Sequence, residues 1–128
     1  MNHELRRVLF VGLTALSLFA GPTSFAQNKA CTLSQSISVR DLPKQGQDTL
    51  TLIKVGGPFA SERDGIPFGN RERILPKEKR GYYREYTVRT PGVKNRGARR
   101  IVCGGNLVSP DRCYYTEDHY QSFKCIAQ

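Results

Sequence analysis

The chain has 128 residues, of which 38% are hydrophobic, and its 20 Lys and Arg outnumber 11 Asp and Glu to give a formal charge of +9. That length holds one domain with a small core, and there is no internal repeat or low-complexity tract. The positive charge raises the encounter rate with polyanions, but by itself it does not separate DNA, RNA, anionic lipid and acidic protein.

The first 26 residues have the pattern of a secretory leader. Arg6-Arg7 forms a positive start, Val8 to Ala20 is a nearly unbroken apolar run of 13 residues, and Ser24-Phe-Ala26 fits a small-x-small cleavage site. The run is well short of the ~20 residues that cross a bilayer, and no other segment is apolar enough to do so, so no membrane association is expected. Loss of Met1–Ala26 removes Arg6, Arg7 and Glu4 and leaves 18 basic and 10 acidic residues, a formal charge of +8. The expectation is one domain over residues 27–128, secreted to the extracellular medium.

Residues 27–40 are polar and read as a partly ordered arm tied down at Cys31. Asp41-Leu-Pro43 is expected to start a helix, because Asp can cap and Pro is tolerated in the first turn. Leu50, Ile53 and, less strictly, Leu52 give it a buried face, and Gly56-Gly57 ends it.

From Gly65 onward the signals are strands and turns. Residues 82–88, 98–103, 112–116 and 122–126 are short runs rich in aromatic and β-branched residues. The predicted class is α+β, an N-terminal helix packed on an antiparallel meander. Alternation puts Tyr83, Glu85 and Thr87 on one face of the first long strand and Tyr82, Arg84, Tyr86 and Val88 on the other. Tyrosines occupy both faces, so the pattern alone does not say which is the core.

All four cysteines follow the leader, and an even count in an oxidising compartment favours two disulfides. Cys103 and Cys113 flank a turn-rich stretch between two strand-like runs, which suits a bridge across a hairpin. Cys31 then joins Cys125 and ties the two ends of the domain. A zinc site is the competing use of four cysteines, but there is no Cys-x-x-Cys pair and the spacing does not fit common fingers.

Without the leader one histidine is left, His119, in Tyr114-Tyr-Thr-Glu-Asp-His-Tyr120, downstream of Glu85 and the basic stretch Lys94-Asn-Arg-Gly-Ala-Arg-Arg100. A carboxylate, an imidazole and several arginines are the parts for moving a proton at each end of a phosphodiester while holding its charge. RNA carries its own nucleophile, the 2′-hydroxyl, so such a site needs neither a metal nor another cofactor. A metal-dependent DNase calls for a His-rich or carboxylate-rich cluster, which one histidine hardly provides. The other reading is a secreted cationic domain that binds nucleic acid without chemistry, which leaves Glu85 and His119 with no role.

From Leu42 to Ile126 the chain resembles the secreted bacterial guanyl-specific ribonucleases, the family of barnase and the small Streptomyces enzymes. The resemblance is carried by Gly56-Gly-Pro-Phe59, Asp64-Gly65, Phe68-Gly-Asn-Arg-Glu72, Gly81-Tyr-Tyr-Arg-Glu-Tyr-Thr-Val88, Thr90-Pro-Gly92, Arg96-Gly-Ala-Arg-Arg-Ile101 and Tyr114-Tyr-Thr-Glu-Asp-His-Tyr-Gln-Ser-Phe123. It implies Glu85 as general base, His119 as general acid, Arg96 and Arg100 as phosphate-binding arginines and Tyr120 as a phosphate-contacting phenol. It also implies that Glu72 takes the paired N–H donors of guanine, that Asn70 and Arg71 offer backbone N–H groups to the guanine oxygen, and that Phe68 stacks on the base. Cleavage of single-stranded RNA 3′ to guanosine through a 2′,3′-cyclic phosphate is the implied activity. RNA is the implied substrate, a monomer the implied state, and an acidic inhibitor protein of the barstar type the implied partner. Two departures from the pattern are Gly69, where some members have a polar residue, and the Cys103–Cys113 bridge, and neither touches the implied chemistry.

Overall fold

A computed structural model describes residues 31–127 and, before them, Gly21 alone. The expected leader and residues 27–30 lie otherwise outside the described residues. Helix α1 spans Lys44–Val55 and buries Gly46, Thr49, Leu50 and Ile53, the i, i+3, i+4, i+7 spacing of one helical face. Leu52 is only half-buried. Asp41 does not cap this helix. It ends a 3-10 turn over Val39–Asp41 that Ser38 caps, and Leu42 and Pro43 are extended before α1 begins. The cause is Pro43, whose ring pushes the preceding residue out of helical geometry. At the other end Gly56 takes a left-handed φ of 81°, as expected for a glycine stop.

Six strands follow one another as β1 (Ser36–Ser38), β2 (Ile66–Pro67), β3 (Tyr83–Thr87), β4 (Arg100–Gly105), β5 (Pro110–Thr116) and β6 (Lys124–Ala127), in the spatial order β1-β6-β5-β4-β3-β2. From β3 to β6 the sheet is the expected antiparallel meander, and the two-residue β2, which the sequence signals did not mark, adds an antiparallel edge beside β3. One pairing differs, because β1 runs parallel to β6 with Ile37 opposite Ile126, so the sheet is mixed. The segment expected as a partly ordered arm is thus, from Ser36, an edge strand. The Cys31–Cys125 bridge and a hydrogen bond from Cys125 N to Gln35 O at 3.0 Å fasten it, and Ile37 and Val39 pack on the core. The second disulfide joins Cys103 to Cys113 directly across β4 and β5, with Cα atoms 4.1 Å apart.

The tyrosines on both faces have a simple explanation: the sheet is covered on both sides. On the helix side Leu50 and Ile53 meet Tyr86, Val88, Ile101, Tyr115 and Ile126. On the far side Tyr83, Val102 and Tyr114 pack with Leu75 and Phe123 from two loops. Glu85 shares that second face, so the helix supports the sheet from behind while the loops frame Glu85 in front.

Burial of these phenols has a measurable consequence. Desolvation first, helped by neighbouring carboxylates, pushes the hydroxyls of Tyr82 and Tyr120 up to about 12, and burial also raises those of Tyr83, Tyr86 and Tyr115. In the unfolded chain the same groups ionise near ~10. Between about pH 10 and 12 the unfolded chain has therefore released protons that the folded chain keeps, and stability falls as pH rises. The denaturant midpoint should drop steeply above pH 10; an unchanged midpoint between pH 9 and 11.5 would contradict this.

Candidate active site

Glu85 lies mid-way along β3, opposite Val102 on β4 and Ile66 on β2, with 7% of its surface exposed. A carboxylate that buried needs partners. Arg96 Nη2 donates to Oε1 at 3.2 Å, and the Tyr120 hydroxyl donates to Oε2 at 2.7 Å. Arg96 also donates from Nε to Thr87 Oγ1 at 3.0 Å, and the Thr87 amide donates to Asp64 Oδ1 at 2.7 Å, which fixes the end of β3 beside the arginine.

Arg100 opens β4 and is 3% exposed. Its Nη1 donates to the carbonyls of Gly97 at 2.9 Å and Arg99 at 2.8 Å, so the side chain folds the connection from β3 onto itself. Its guanidinium lies 5.9 Å from the centroid of the Tyr120 ring, and its buried Nε has no protein acceptor among the described residues. A buried donor left without an acceptor costs about 1–3 kcal/mol.

His119 and Tyr120 sit on the connection between β5 and β6, with φ of 55° and 72°. Two successive left-handed residues other than glycine are uncommon and store strain of about 1–3 kcal/mol each. The surrounding hydrogen bonds impose this geometry. Thr116, 1% exposed, accepts from Tyr120 N at 3.1 Å and donates to Asp118 Oδ1 at 2.8 Å, while Asp118 accepts from Ser122 N at 2.9 Å and from Ser122 Oγ at 2.5 Å. The Ser122 hydroxyl is the largest cause that holds the Asp118 carboxyl below its ordinary range. His119 N donates to Ala98 O at 3.1 Å, and its exposed ring is 4.9 Å from that of Tyr120.

Residues 68–75 form the opposite wall. Phe68 N donates to Tyr83 O at 2.9 Å, and the Phe68 ring lies 5.0 Å from Tyr120 and 5.9 Å from Phe123. Asn70, at φ 49°, closes the loop with its side chain: Nδ2 donates to Leu75 O at 2.9 Å and Oδ1 accepts from Leu75 N at 3.1 Å. The side-chain amide of Asn70 is thereby committed to bracing the loop, and Arg71 and Glu72 are exposed on it.

One cleft of about 780 Å³ collects Phe68, Asn70, Arg71 and Glu72 together with Glu85, His119 and Tyr120. Arg96 and Arg100 border it through their contacts with Glu85 and Tyr120. A larger hollow, about 1150 Å³, runs between α1 and residues 89–96; it takes in Arg96 but neither Glu85 nor His119. All nine residues expected to carry chemistry or base recognition thus converge from four separate stretches of chain. Thr87, Thr116, Asp118 and Asp64 also shape the site and are not among the residues expected from the sequence. A signal existed for Thr116 and Asp118, since short hydroxyl and carboxyl side chains around a lone histidine bond local backbone. None existed for Asp64, whose partner is 23 residues away.

The sequence model of a family described as ribonuclease matches residues 26–127 of the chain. The chain belongs to the ribonuclease family. This ribonuclease is 46% identical over 96 residues to guanyl-specific ribonuclease Sa from Kitasatospora aureofaciens, covering 75% of this chain and 97% of that one. It is 53% identical over 85 residues to guanyl-specific ribonuclease Sa3 of the same organism, covering 66% of this chain but 58% of that one. Its fold superimposes on a crystal structure of ribonuclease Sa2 with guanosine-2′-cyclophosphate at a TM-score of 0.66, with 46% identity over 73% of this chain and 95% of that one.

Proposed function

We propose that this ribonuclease is a secreted endoribonuclease that cleaves single-stranded RNA on the 3′ side of guanosine without a metal, by transesterification and then hydrolysis. The carrying observation is Glu85, buried at 7% exposure yet held as an acceptor by Arg96 and Tyr120, in one cleft with His119 and the loop of Glu72. Glu85 takes the proton of the 2′-hydroxyl as O2′ attacks phosphorus. His119 gives a proton to the departing 5′-oxygen, leaving a 2′,3′-cyclic phosphate and a 5′-hydroxyl end. Water then opens the cycle with the two roles exchanged. Arg96, Arg100 and Tyr120 hold the phosphoryl oxygens, where charge grows in the transition state. A phosphate oxygen beside Tyr120 would also satisfy the Arg100 Nε donor. That ribonuclease Sa2 was crystallised with guanosine-2′-cyclophosphate supports the cyclic route here.

Glu72 accepts from the two adjacent N–H groups on the guanine edge, backbone N–H groups of Asn70 and Arg71 donate to its oxygen, and Phe68 stacks on the ring. Export through cleavage near Ala26 is supported by the two disulfides. An acidic inhibitor of the barstar type would set carboxylates against Arg96 and Arg100, and the enzyme acts as a monomer.

The test is cleavage of a defined RNA and the matching DNA in excess EDTA, with the fragment ends identified. RNA ends should be 2′,3′-cyclic phosphates after guanosine, and DNA should be untouched. Equal cleavage after all four bases, or binding without turnover, would sink the proposal. Glu72→Ala should lower the preference for guanosine by at least about 10²-fold, because a site built on hydrogen bonds discriminates by leaving them unmade.

A further inference from the structure

The loop that carries Glu72 has a second side. A hollow of about 560 Å³ shares Pro67, Phe68, Gly69, Asn70 and Arg71 with the active cleft and is lined beyond them by Arg73, Lys77, Glu78, Lys79 and Arg80. Five exposed cations therefore face it against one carboxylate. Exposed lysines and arginines are ordinarily just solvated, but these are displayed on a framework that is already fixed. The Tyr83 hydroxyl donates to Pro76 O at 2.6 Å, Tyr82 N donates to Lys79 O at 3.1 Å, and Asn70 clamps Leu75. A polyanion landing there has no loop to order, which removes a main cost of binding.

From this we infer that the hollow is a phosphate-binding subsite for the RNA strand 5′ to the cleaved guanosine, with Arg73, Lys77, Lys79 and Arg80 as its cations. The inference rests on the proposed guanyl-specific cleavage. A guanosine with its base on residues 68–72 has its 3′-phosphate at Glu85, and the strand beyond passes His119, which must reach the leaving oxygen. The strand leaves the nucleoside at one other point, its 5′-phosphate. Residues 67–71 wall both the active cleft and this hollow, which carries four more positive than negative side chains and lies within one loop of the base site. Its ligand is a phosphodiester backbone, without preference for the bases it carries.

The experiment compares wild type with Lys77→Gln/Lys79→Gln/Arg80→Gln on three substrates: GpU, GpU extended by three uridines on the 5′ side, and GpU extended by three on the 3′ side. In wild type at low salt the 5′ extension should raise kcat/KM by about tenfold, and the triple variant should lose most of that gain while GpU turnover stays within about twofold. The slope of log kcat/KM against log salt on the 5′-extended substrate should become shallower by about 2, since each single-strand phosphate contact contributes ~0.7. No gain from 5′ extension in wild type, or a gain that survives in the variant, overturns the subsite. If wild type cleaves none of the three, the ribonuclease reading fails instead. Fluorescence anisotropy with the 5′-extended strand carrying 2′-deoxyguanosine, which lacks the nucleophile, then still decides the subsite: equal affinity of wild type and variant overturns it.

Discussion

His119→Asn is expected to lower kcat on RNA by about 10²- to 10⁴-fold, the usual contribution of a positioned acid or base. Asparagine is the informative replacement because residue 119 has a φ of 55°, and Asn tolerates the left-handed region better than Ala does. Loss of turnover in His119→Asn then reports loss of the proposed proton donor and not a sprung loop. Glu85→Gln is the matching change on the other side. It keeps a side-chain oxygen within reach of Arg96 or Tyr120 but removes the charge that accepts the 2′-hydroxyl proton in the proposed mechanism. Wild-type kcat/KM on GpU should be bell-shaped in pH, with the acid limb flattened in Glu85→Gln and the alkaline limb gone in His119→Asn. Tyr120 should contribute to neither limb, because burial and its hydrogen bond to Glu85 hold its hydroxyl protonated up to about 12. A wild-type profile flat from about pH 5 to 9 would remove this acid–base pair from the mechanism.

The site was legible in the sequence to the extent that its residues lie in short ordered blocks. Phe68–Glu72, Glu85, Arg96–Arg100 and His119–Tyr120 each stand in such a block, and the antiparallel order from β3 to β6 follows from neighbouring runs pairing in turn. The parallel partner of β6 was not legible. Gln35-Ser-Ile-Ser-Val39 has alternate apolar residues in a polar setting, and nothing local says that it pairs with a strand about 90 residues later. The start of α1 departs from its sequence signal for a different reason, since Asp41 has the chemistry of a cap but Pro43 holds Leu42 extended. Glu85 pairs with Arg96 from the connection that follows its own strand, 11 residues on. Its second partner, the Tyr120 hydroxyl, comes from 35 residues away and brings the carboxylate into the cleft with His119. Spacing along the chain cannot display that convergence.

Replacing Cys31 and Cys125 together by Ala should cost more stability than replacing Cys103 and Cys113, and should leave the cleft untouched. That bridge joins residues 94 apart, against 10 for Cys103–Cys113. Chain-entropy models give about 4–5 kcal/mol for closing so long a loop and about 3 kcal/mol or less for the short one. The short bridge is also backed by a continuous ladder between β4 and β5, whereas β1 has three residues on one edge of the sheet. Whole domains are stable by only about 5–15 kcal/mol, so the Cys31→Ala/Cys125→Ala variant should melt about 15–30 °C lower. At low temperature its kcat on GpU should remain near wild type, because Glu85, Arg100 and the Thr116–Asp118–Ser122 network that holds His119 are anchored in β3, β4 and the end of β5. Mass mapping of the native protein should first find both bridges and no free thiol. If the variant melts no lower than Cys103→Ala/Cys113→Ala, the edge strand is held by the packing of Ile37 and Val39 on the core and the long bridge adds little to it.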